Sequence, residues 1–172
     1  MRQVKQKLSG IISLRMHPEA FNALLALQTF TVLFLALHDW IPLGPLDNVA
    51  GVRAADSRFK LFTTTLLSAA PYAFGLAASI IYFHNPYPDW LFWWLWVSYA
   101  LLFFGQLRAW WIPYLLRPDP VRAARYQQMF GGTHAFLSER NDIRPNTLHI
   151  LLHASTAALL IVLAELTIAH EL

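Results

Sequence analysis

The chain has 172 residues, of which 56% are hydrophobic and only 13% are charged, whereas soluble domains carry about 25% charged residues. A water-soluble domain of this length cannot bury so much apolar surface, so the composition favours an integral membrane protein. The absence of cysteine excludes disulfides, thiolate metal sites and cysteine nucleophiles, and the net charge of +3 indicates contact with lipid headgroups rather than nucleic acid.

The N-terminal segment, residues 1–19, combines apolar and basic residues. Val4, Leu8, Ile11 and Ile12 share one face of a helix, and lysines and arginines lie between them. This pattern is typical of a short helix that lies on the membrane surface. A frayed basic tail explains the same residues equally well.

Four later stretches contain no Asp, Glu, Lys or Arg, and each approaches the length of about 20 apolar residues that crosses a membrane. They are residues 20–37, 61–83, 90–107 and 148–164. Because no water satisfies backbone groups at that depth, each is predicted to be helical. We therefore expect an all-α integral membrane protein with one transmembrane domain over 1–172. Its four-helix bundle would have spans near 20–40, 61–83, 90–112 and 147–168, with a long loop between helices 3 and 4.

Small residues suggest which helices pack together. The second predicted helix carries Ala69, Ala73, Gly75 and Ser79, and the fourth carries Ala154, Ser155, Ala157 and Ala158. Small side chains let helix backbones approach closely in lipid. We therefore expect the second and fourth helices to pack tightly against each other.

Aromatic residues mark both ends of the third predicted helix. They are Trp90, Trp93, Trp94 and Trp96 at its start, and Trp110, Trp111 and Tyr114 at its end. A helix rises about 32 Å between the first and last of these tryptophans, which matches a hydrocarbon core of about 30 Å. The spacing predicts an aromatic belt at each membrane boundary. Stacking on a ligand or cofactor is the alternative.

Four spans place both chain termini on one membrane face and the loops 38–60 and 108–147 on the other. Nine of the 13 lysines and arginines fall on the loop face and four on the terminal face. The positive-inside bias predicts that these loops are cytoplasmic, and we expect a bacterial inner membrane. The basic N-terminal segment argues for the opposite orientation.

A pair of histidines lies at the start of the last predicted helix. Asn146 is a favoured N-cap residue, so this helix is predicted to begin near Thr147. His149 and His153 are four residues apart and therefore share one helix face. Imidazoles at this spacing suit zinc, copper, nickel or iron, although two ligands do not complete a site.

Topology brings further metal-ligating residues to the same membrane face. If the long loop folds back over the helices, five side chains converge: His38, Asp39, His134, His149 and His153. Three or four of them would hold a transition metal with an open position, whereas haem would need two axial ligands on facing helices. The alternative is that each histidine makes a single hydrogen bond near the membrane surface.

A second group of polar residues is cationic. Gln106 and Arg108 end the third helix, and the loop after it adds Arg117, Arg122, Arg125, Arg140 and Arg144. Guanidinium groups match phosphate and carboxylate. The predicted ligand-binding residues are Gln106, Arg108, His134, His149 and His153. General attraction to anionic lipid is the simpler interpretation of the same charges.

Three functions are compatible with these patterns. The first is a membrane protein, or small transporter, that binds a hydrophobic or anionic small ligand at a mouth lined by histidine and arginine. The second is a small membrane enzyme with a histidine-based metal or acid–base site. The third is an accessory subunit of a larger membrane complex. Expected partners are membrane lipids, a small-molecule ligand, and either further copies of the chain or a larger complex, without nucleic acid.

Overall fold

The structure, a computed structural model, describes residues 18–83 and 85–171, with side chains over 19–83 and 85–168. The predicted N-terminal surface helix lies outside the described residues. The helices are α1 (Pro18–Leu37), α2 (Val49–Ala55), α3 (Arg58–Ile81), α4 (Asp89–Gln106), α5 (Ile112–Leu115), α6 (Pro120–Phe130) and α7 (Thr147–Glu171). A 3₁₀ turn occupies Gly44–Leu46, and a π-helical turn over Leu107–Trp111 joins α4 to α5.

Four helices are long and apolar enough to cross a membrane, as the sequence predicts. The apolar spans are Glu19–Leu37, Arg58–Ile81, Asp89–Leu115 and Thr147–Ile168. The third span is longer than the predicted 90–112 because the π-helical turn continues α4 directly into α5. The regular structure of the described residues is therefore helical, and the chain has the features of a membrane protein.

Polar side chains fix where several helices begin. Ser57 accepts a hydrogen bond from the backbone N–H of Lys60 at the start of α3. Asn146 accepts one at 2.9 Å from the backbone N–H of His149 at the start of α7. Such side-chain caps satisfy amide groups that have no partner within the helix. The prediction that the last helix begins near Thr147 is confirmed.

The four long helices contact one another in a ring. Helix α1 packs against α3 and α7, and α4 packs against the same two helices.

The expectation that the second and fourth helices pack tightly is wrong for the described residues, because α3 and α7 are not among the helix pairs in close contact. The small residues of α3 instead make room for large side chains of α4. A β-carbon on Gly75 would lie 3.0 Å from Leu95 Cδ2, and Trp94 donates a 3.1 Å hydrogen bond to the carbonyl of Pro71.

Hydrogen bonds connect the long helices inside a leucine-rich core. Gln28 Nε2 donates to Ser79 Oγ at 3.1 Å, which joins α1 to α3. Trp96 Nε1 donates to Thr167 Oγ1 at 2.9 Å, which joins α4 to α7. Leu24, Leu91, Leu95, Leu159 and Leu163 are fully buried around these bonds. Because apolar side chains gain little from packing in lipid compared with water, such polar bonds help select helix partners.

The long loop predicted between helices 3 and 4 is an ordered layer. It contains α5 and α6, and α6 packs against α2 from the earlier loop. We call residues 38–57 and 112–146 the loop layer. Its core contains Tyr114, Ala123 and Ile143, which pack with Trp110 of the π-helical turn. Asn141, in the left-handed backbone region at φ 53°, donates its side-chain amide to two carbonyls of the α5 segment.

A carboxylate links the two halves of the loop layer. Asp56 forms ion pairs with Lys60 and with Arg125 of α6. The hydrogen bond from Lys60 is the main cause that holds the pKa of Asp56 below its ordinary value of 3.8, and the charge of Arg125 adds to it while partial burial opposes it. The ion pairs therefore favour the ionised carboxylate and connect α2 to α6.

We expect substitution of Gly75 by Val to lower the thermal midpoint of the protein in bilayers or mild detergent. The added methyl groups would press on Leu95, and such overpacking costs about 1–3 kcal/mol. Gly105→Ala in α4 is the matched control, because its β-carbon would meet no atom within 4 Å. Alanine has fewer accessible backbone conformations than glycine in the unfolded chain, so this variant should raise the free energy of unfolding by about 0.5–1 kcal/mol. Equal midpoints for the two variants would contradict the α3–α4 contact.

We expect the loop layer to loosen at acid pH because of Asp56. A carboxylate with a lowered pKa in the folded state stabilises the protein above its unfolded-state pKa, and that contribution is lost as the pH falls below about 4. The protection of α2 and α6 against hydrogen exchange, relative to the unstructured rate at the same pH, should therefore fall on acidification, and Asp56→Asn should lower this protection at neutral pH and make it less dependent on pH. Asp142→Asn is the control, since that exposed carboxylate forms no ion pair among the described residues. If Asp56→Asn showed the same pH profile as the unmodified protein, the ion pairs of Asp56 would not be the cause of the pH dependence.

Candidate functional site

The third span is continuous, but its regular α-helical hydrogen-bond ladder is interrupted where α4 meets α5, and we call this interruption the break in α4. Pro113 has no backbone N–H, so the carbonyl of Ala109 four residues earlier lacks its usual helical donor. The Leu107–Trp111 segment adopts a π-helical turn, a feature that is often found at functional sites. Arg122 Nη1 and the Tyr126 hydroxyl of α6 donate to the Ala109 carbonyl at 3.0 and 3.1 Å. The break therefore anchors α6.

The guanidinium group of Arg122 donates mainly to backbone carbonyls and to Asp119, which leaves few of its N–H groups for a ligand. Its Nη1 also donates to the carbonyl of Arg108 at 3.2 Å, and its Nε donates to Asp119 at 3.1 Å. Backbone and side-chain hydrogen bonds from Arg122 lower the pKa of Asp119. The sequence places Arg122 among the cations available to a ligand, but the structure shows most of its donors engaged by the protein.

An aromatic box surrounds His149. The ring centroids of Trp110 and Phe130 lie 4.6 and 4.9 Å from its imidazole, and those of Phe34 and His38 lie 5.9 and 5.8 Å away. These rings come from α1, the π-helical turn and α6, so the box joins the long helices to the loop layer. At the far end of the third span Trp110 is therefore buried, with 5% of its surface exposed. That residue does not form the exposed belt expected from the sequence.

The two histidines of α7 have opposite tautomers. The indole Nε1–H of Trp111 donates to His153 Nδ1 at 3.0 Å, and because an indole can only donate, the proton of neutral His153 lies on Nε2. The backbone N–H of His149 identifies the Asn146 side-chain oxygen as an acceptor. That oxygen is also 2.7 Å from His149 Nδ1, so the proton of His149 lies on Nδ1. The pair therefore presents one imidazole lone pair and one N–H.

His38 and Asp39 lie side by side at the end of α1. His38 Nδ1 lies 2.8 Å from the carbonyl of Phe34, which can only accept, and His38 Nε2 lies 3.3 Å from Asp39 Oδ1. Both imidazole nitrogens thus face acceptor oxygens. Burial raises the pKa of Asp39, while the charge of His38 acts in the opposite direction.

The predicted metal ligands are brought together only in part. His38, His149 and His153 form a chain of ring contacts with centroid separations of 5.8 and 6.3 Å, and Asp39 joins it through His38. His134 is exposed, and its Nδ1 lies 2.8 Å from Thr147 Oγ1. Within residues 18–83 and 85–171, no group of three or more His, Asp or Glu side chains is positioned to hold a metal ion. The transition-metal and haem assignments therefore stay predictions without support from this geometry.

His134 has a structural position in the loop layer. Its backbone N–H donates to the carbonyl of Pro45 in the 3₁₀ turn, and its carbonyl accepts from the backbone N–H of Thr147 at 3.0 Å. These bonds join the loop after α1 to the start of α7. The residue thus connects the two loops that the sequence places on one membrane face.

A cavity of about 420 Å³ lies on the outer side of the helix break. It is lined by Arg108, Ile112, Pro113, Arg117, Pro118, Asp119, Pro120 and Arg122. The Arg108 side chain forms no hydrogen bond or ion pair with the described residues, and Arg117 interacts with Asp119 only through its charge. The cavity therefore combines two available guanidinium groups with an apolar wall.

Sequence reasoning overlooked Thr156 and the break itself. Thr156 accepts a 3.0 Å hydrogen bond from Gln106 Nε2 and lies on the same face of α7 as the histidine pair. A signal was present, because Asn146, His149, His153 and Thr156 follow one another at helical spacings of three and four. Pro113, two residues after Trp111 in an apolar run, is likewise the residue that marks the break.

We expect Arg122→Met to release α6 from the break in α4. The methionine keeps the apolar stem but leaves two carbonyls without their charged donor, and each such bond is worth about 1.5–3 kcal/mol. Limited proteolysis should cleave residues 116–131 faster than in the unmodified protein. Arg140→Met, which removes an exposed arginine from the same layer, should leave the cleavage rate unchanged. Comparable rates for all three proteins would show that Arg122 does not hold the helix.

Comparisons of the chain with protein-family models, curated proteins and solved structures found no match. A fold by itself does not determine function, because the same helical arrangements support many activities. The chemistry of the side chains around the break in α4 is therefore the basis for the functional inference.

Proposed function

We propose that this chain is a four-helix membrane protein that binds a small anionic amphiphile at the break in α4. The observation that carries the proposal is the 420 Å³ cavity beside the break, which contains two guanidinium groups without strong protein partners. The membrane face concerned is the one that carries the loops 38–60 and 108–147. The sequence predicts a binding site lined by both histidine and arginine. In this proposal the arginines line the site, and the histidines contact the tryptophans of the π-helical turn instead.

Charge supports an anionic ligand. Arg108 and Arg117 line the cavity, and a guanidinium group forms paired hydrogen bonds with phosphate or carboxylate. Asp119 is the one acidic residue of the lining, and Arg122 forms an ion pair with it. The remaining positive charge favours an anion of one or two negative charges.

Exposed apolar residues support an amphiphile rather than a soluble anion. Ile112 belongs to the cavity wall, and Leu116 and Val121, with 77% and 84% of their surfaces exposed, lie next to lining residues in the sequence. Apolar side chains beside basic ones are typical of segments that rest in the boundary between headgroups and acyl chains. A ligand with an acidic headgroup and an apolar tail would match both features.

The predicted ligand residues take different parts in this proposal. Arg108 would contact the anion directly. Gln106, His149 and His153 lie on the inner side of Trp110 and Trp111, so they would support the wall of the site. His134 would hold the loop layer in place through its backbone hydrogen bonds.

Location and partners follow as part of the same proposal. The excess of lysine and arginine on the loop face favours a cytoplasmic position in a bacterial inner membrane. Membrane lipids are the proposed partners. Exposed aromatic residues of α4, including Trp93, leave room for contact with further copies of the chain or with a larger complex.

A small membrane enzyme is the second candidate. The contact of His38 with Asp39 and the lone pair of His149 favour it, because they place a carboxylate and two imidazoles close together. This enzyme would use either a bound metal or acid–base chemistry without a metal. Elemental analysis of protein purified without chelators distinguishes the two: a stoichiometric metal would support metal chemistry, and its absence would leave acid–base chemistry as the remaining mechanism.

We expect Arg108→Gln and Arg117→Gln each to weaken binding of a spin-labelled phosphatidic acid by about tenfold. A tenfold change corresponds to about 1.4 kcal/mol, close to the lower end of the range of about 1.5–3 kcal/mol for one charged hydrogen bond, because the glutamine still donates a neutral one. Binding would be measured in nanodiscs of a zwitterionic lipid, with inorganic phosphate as a parallel soluble probe. Tight binding of the labelled lipid together with weak binding of phosphate would identify an amphiphile as the ligand.

Arg140→Gln provides the matched control for this experiment, because Arg140 is an exposed arginine of the loop layer outside the cavity. General attraction to anionic lipid would make all three variants equivalent. That outcome would reject a specific pocket, whereas a loss confined to the two cavity variants would support it.

A further inference from the structure

A buried polar stripe runs along α7 from the loop layer toward the middle of the helix. Asn146, His149, His153 and Thr156 are all buried and lie on one helix face, and the next residues of that face, Leu159 among them, are apolar. Ten residues of helix rise about 15 Å, which is about half of a 30 Å hydrocarbon core. Polar groups at that depth need partners, because no bulk water reaches them.

The deepest polar contact of this stripe is incomplete. Gln106 Nε2 donates to Thr156 Oγ1 at 3.0 Å, and Thr156 Oγ1 donates to the carbonyl of Leu152 at 2.8 Å. Gln106 Oε1 then has no donor among the described residues, although only 6% of this side chain is exposed. A buried acceptor without a donor is destabilising, so a donor that the described residues do not supply is expected here.

His153 has the complementary group. Its Nδ1 is occupied by the indole N–H of Trp111, which leaves a proton on Nε2. No acceptor for this N–H is found among the hydrogen bonds of the described residues. His153 lies one helical turn from Thr156, the partner of Gln106. Gln106 therefore offers a free acceptor where α4 contacts Thr156, and His153 offers a free donor on the neighbouring turn of α7.

We propose that Gln106, His153 and Thr156 form a buried site that binds one hydroxyl group between α4 and α7. The hydroxyl oxygen accepts a hydrogen bond from His153 Nε2–H, and its proton is donated to Gln106 Oε1. A hydroxyl fits because it accepts and donates at once and carries no charge into an apolar region. Its source is either an internal water molecule or the hydroxyl end of an amphiphile.

This site is distinct from the proposed arginine pocket. It lies on the inner side of Trp111 and contains no charged residue, whereas the arginine pocket lies on the outer side of the helix break. Its failure would leave the binding of an anion at Arg108 and Arg117 intact.

The chain contains a natural control for Gln106. Gln28 is also buried, donates its Nε2 to a hydroxyl of a neighbouring helix, and has an Oε1 without a donor among the described residues. Its hydrogen-bond partner is Ser79, and no imidazole belongs to that contact. Gln28→Leu and Gln106→Leu therefore remove the same groups at two places, only one of which has the histidine donor.

The test is solid-state NMR of ¹⁵N-histidine-labelled protein in lipid bilayers. We expect His153 to show an unprotonated Nδ1 and a protonated Nε2. Magnetisation from water should reach Nε2–H rapidly if the hydroxyl is water. If it belongs to an amphiphile, water transfer should be absent and mass spectrometry should detect a co-purified hydroxyl compound. Gln106→Leu should reduce whichever signal is present several-fold, and Gln28→Leu should leave it unchanged.

Two results with the unmodified protein would overturn the site, so the conclusion does not depend on how Gln106→Leu folds. The first is a proton on Nδ1 of His153. The second is the absence of both water transfer and a co-purified compound. With a folded Gln106→Leu variant, a signal equal to that of the unmodified protein would also overturn it.

Discussion

The carbonyl groups of Arg108 and Ala109 need hydrogen-bond donors from outside their own helix, because Pro113 supplies no N–H and the π-helical turn disrupts the regular ladder. An unsatisfied carbonyl in an apolar region is costly. Arg122 and Tyr126 supply the donors, and in doing so they dock α6 onto the end of α4. The order of the loop layer depends on this requirement, since α6 also packs against α2.

The same turn brings two consecutive tryptophans to α7. Trp110 closes the aromatic box around His149, and Trp111 fixes the tautomer of His153. Each imidazole thus has a protein partner for one of its nitrogens, which reduces the cost of burying it. The histidine pair is therefore explained first by packing and hydrogen bonding, and any chemical role must use the nitrogen that remains on each ring.

Both proposed sites depend on the break in α4. Arg108 belongs to the π-helical turn and lines the outer cavity, while Gln106 directly precedes the turn and contacts Thr156 inside. Trp110 and Trp111, which follow both residues in sequence, contact the histidines of α7. A change in the geometry of the turn would thus alter the surroundings of both proposed sites.

Composition and local pattern determined the four long helices of this protein. Uncharged apolar runs of sufficient length must be helical in lipid, and Asn146 marks the start of α7 because its side chain satisfies a free amide. The grouping of His38, His149 and His153 on one side was also predictable from helix spacing and topology. Tertiary structure alone decided the partners: Gly75 accommodates Leu95 of α4 rather than a small residue of α7. It also decided that Trp110 is buried and that Arg122 binds backbone carbonyls. A sequence shows which donors and acceptors need a hydrogen-bond partner in an apolar region. The partner of each one is decided by contacts between residues distant in the chain.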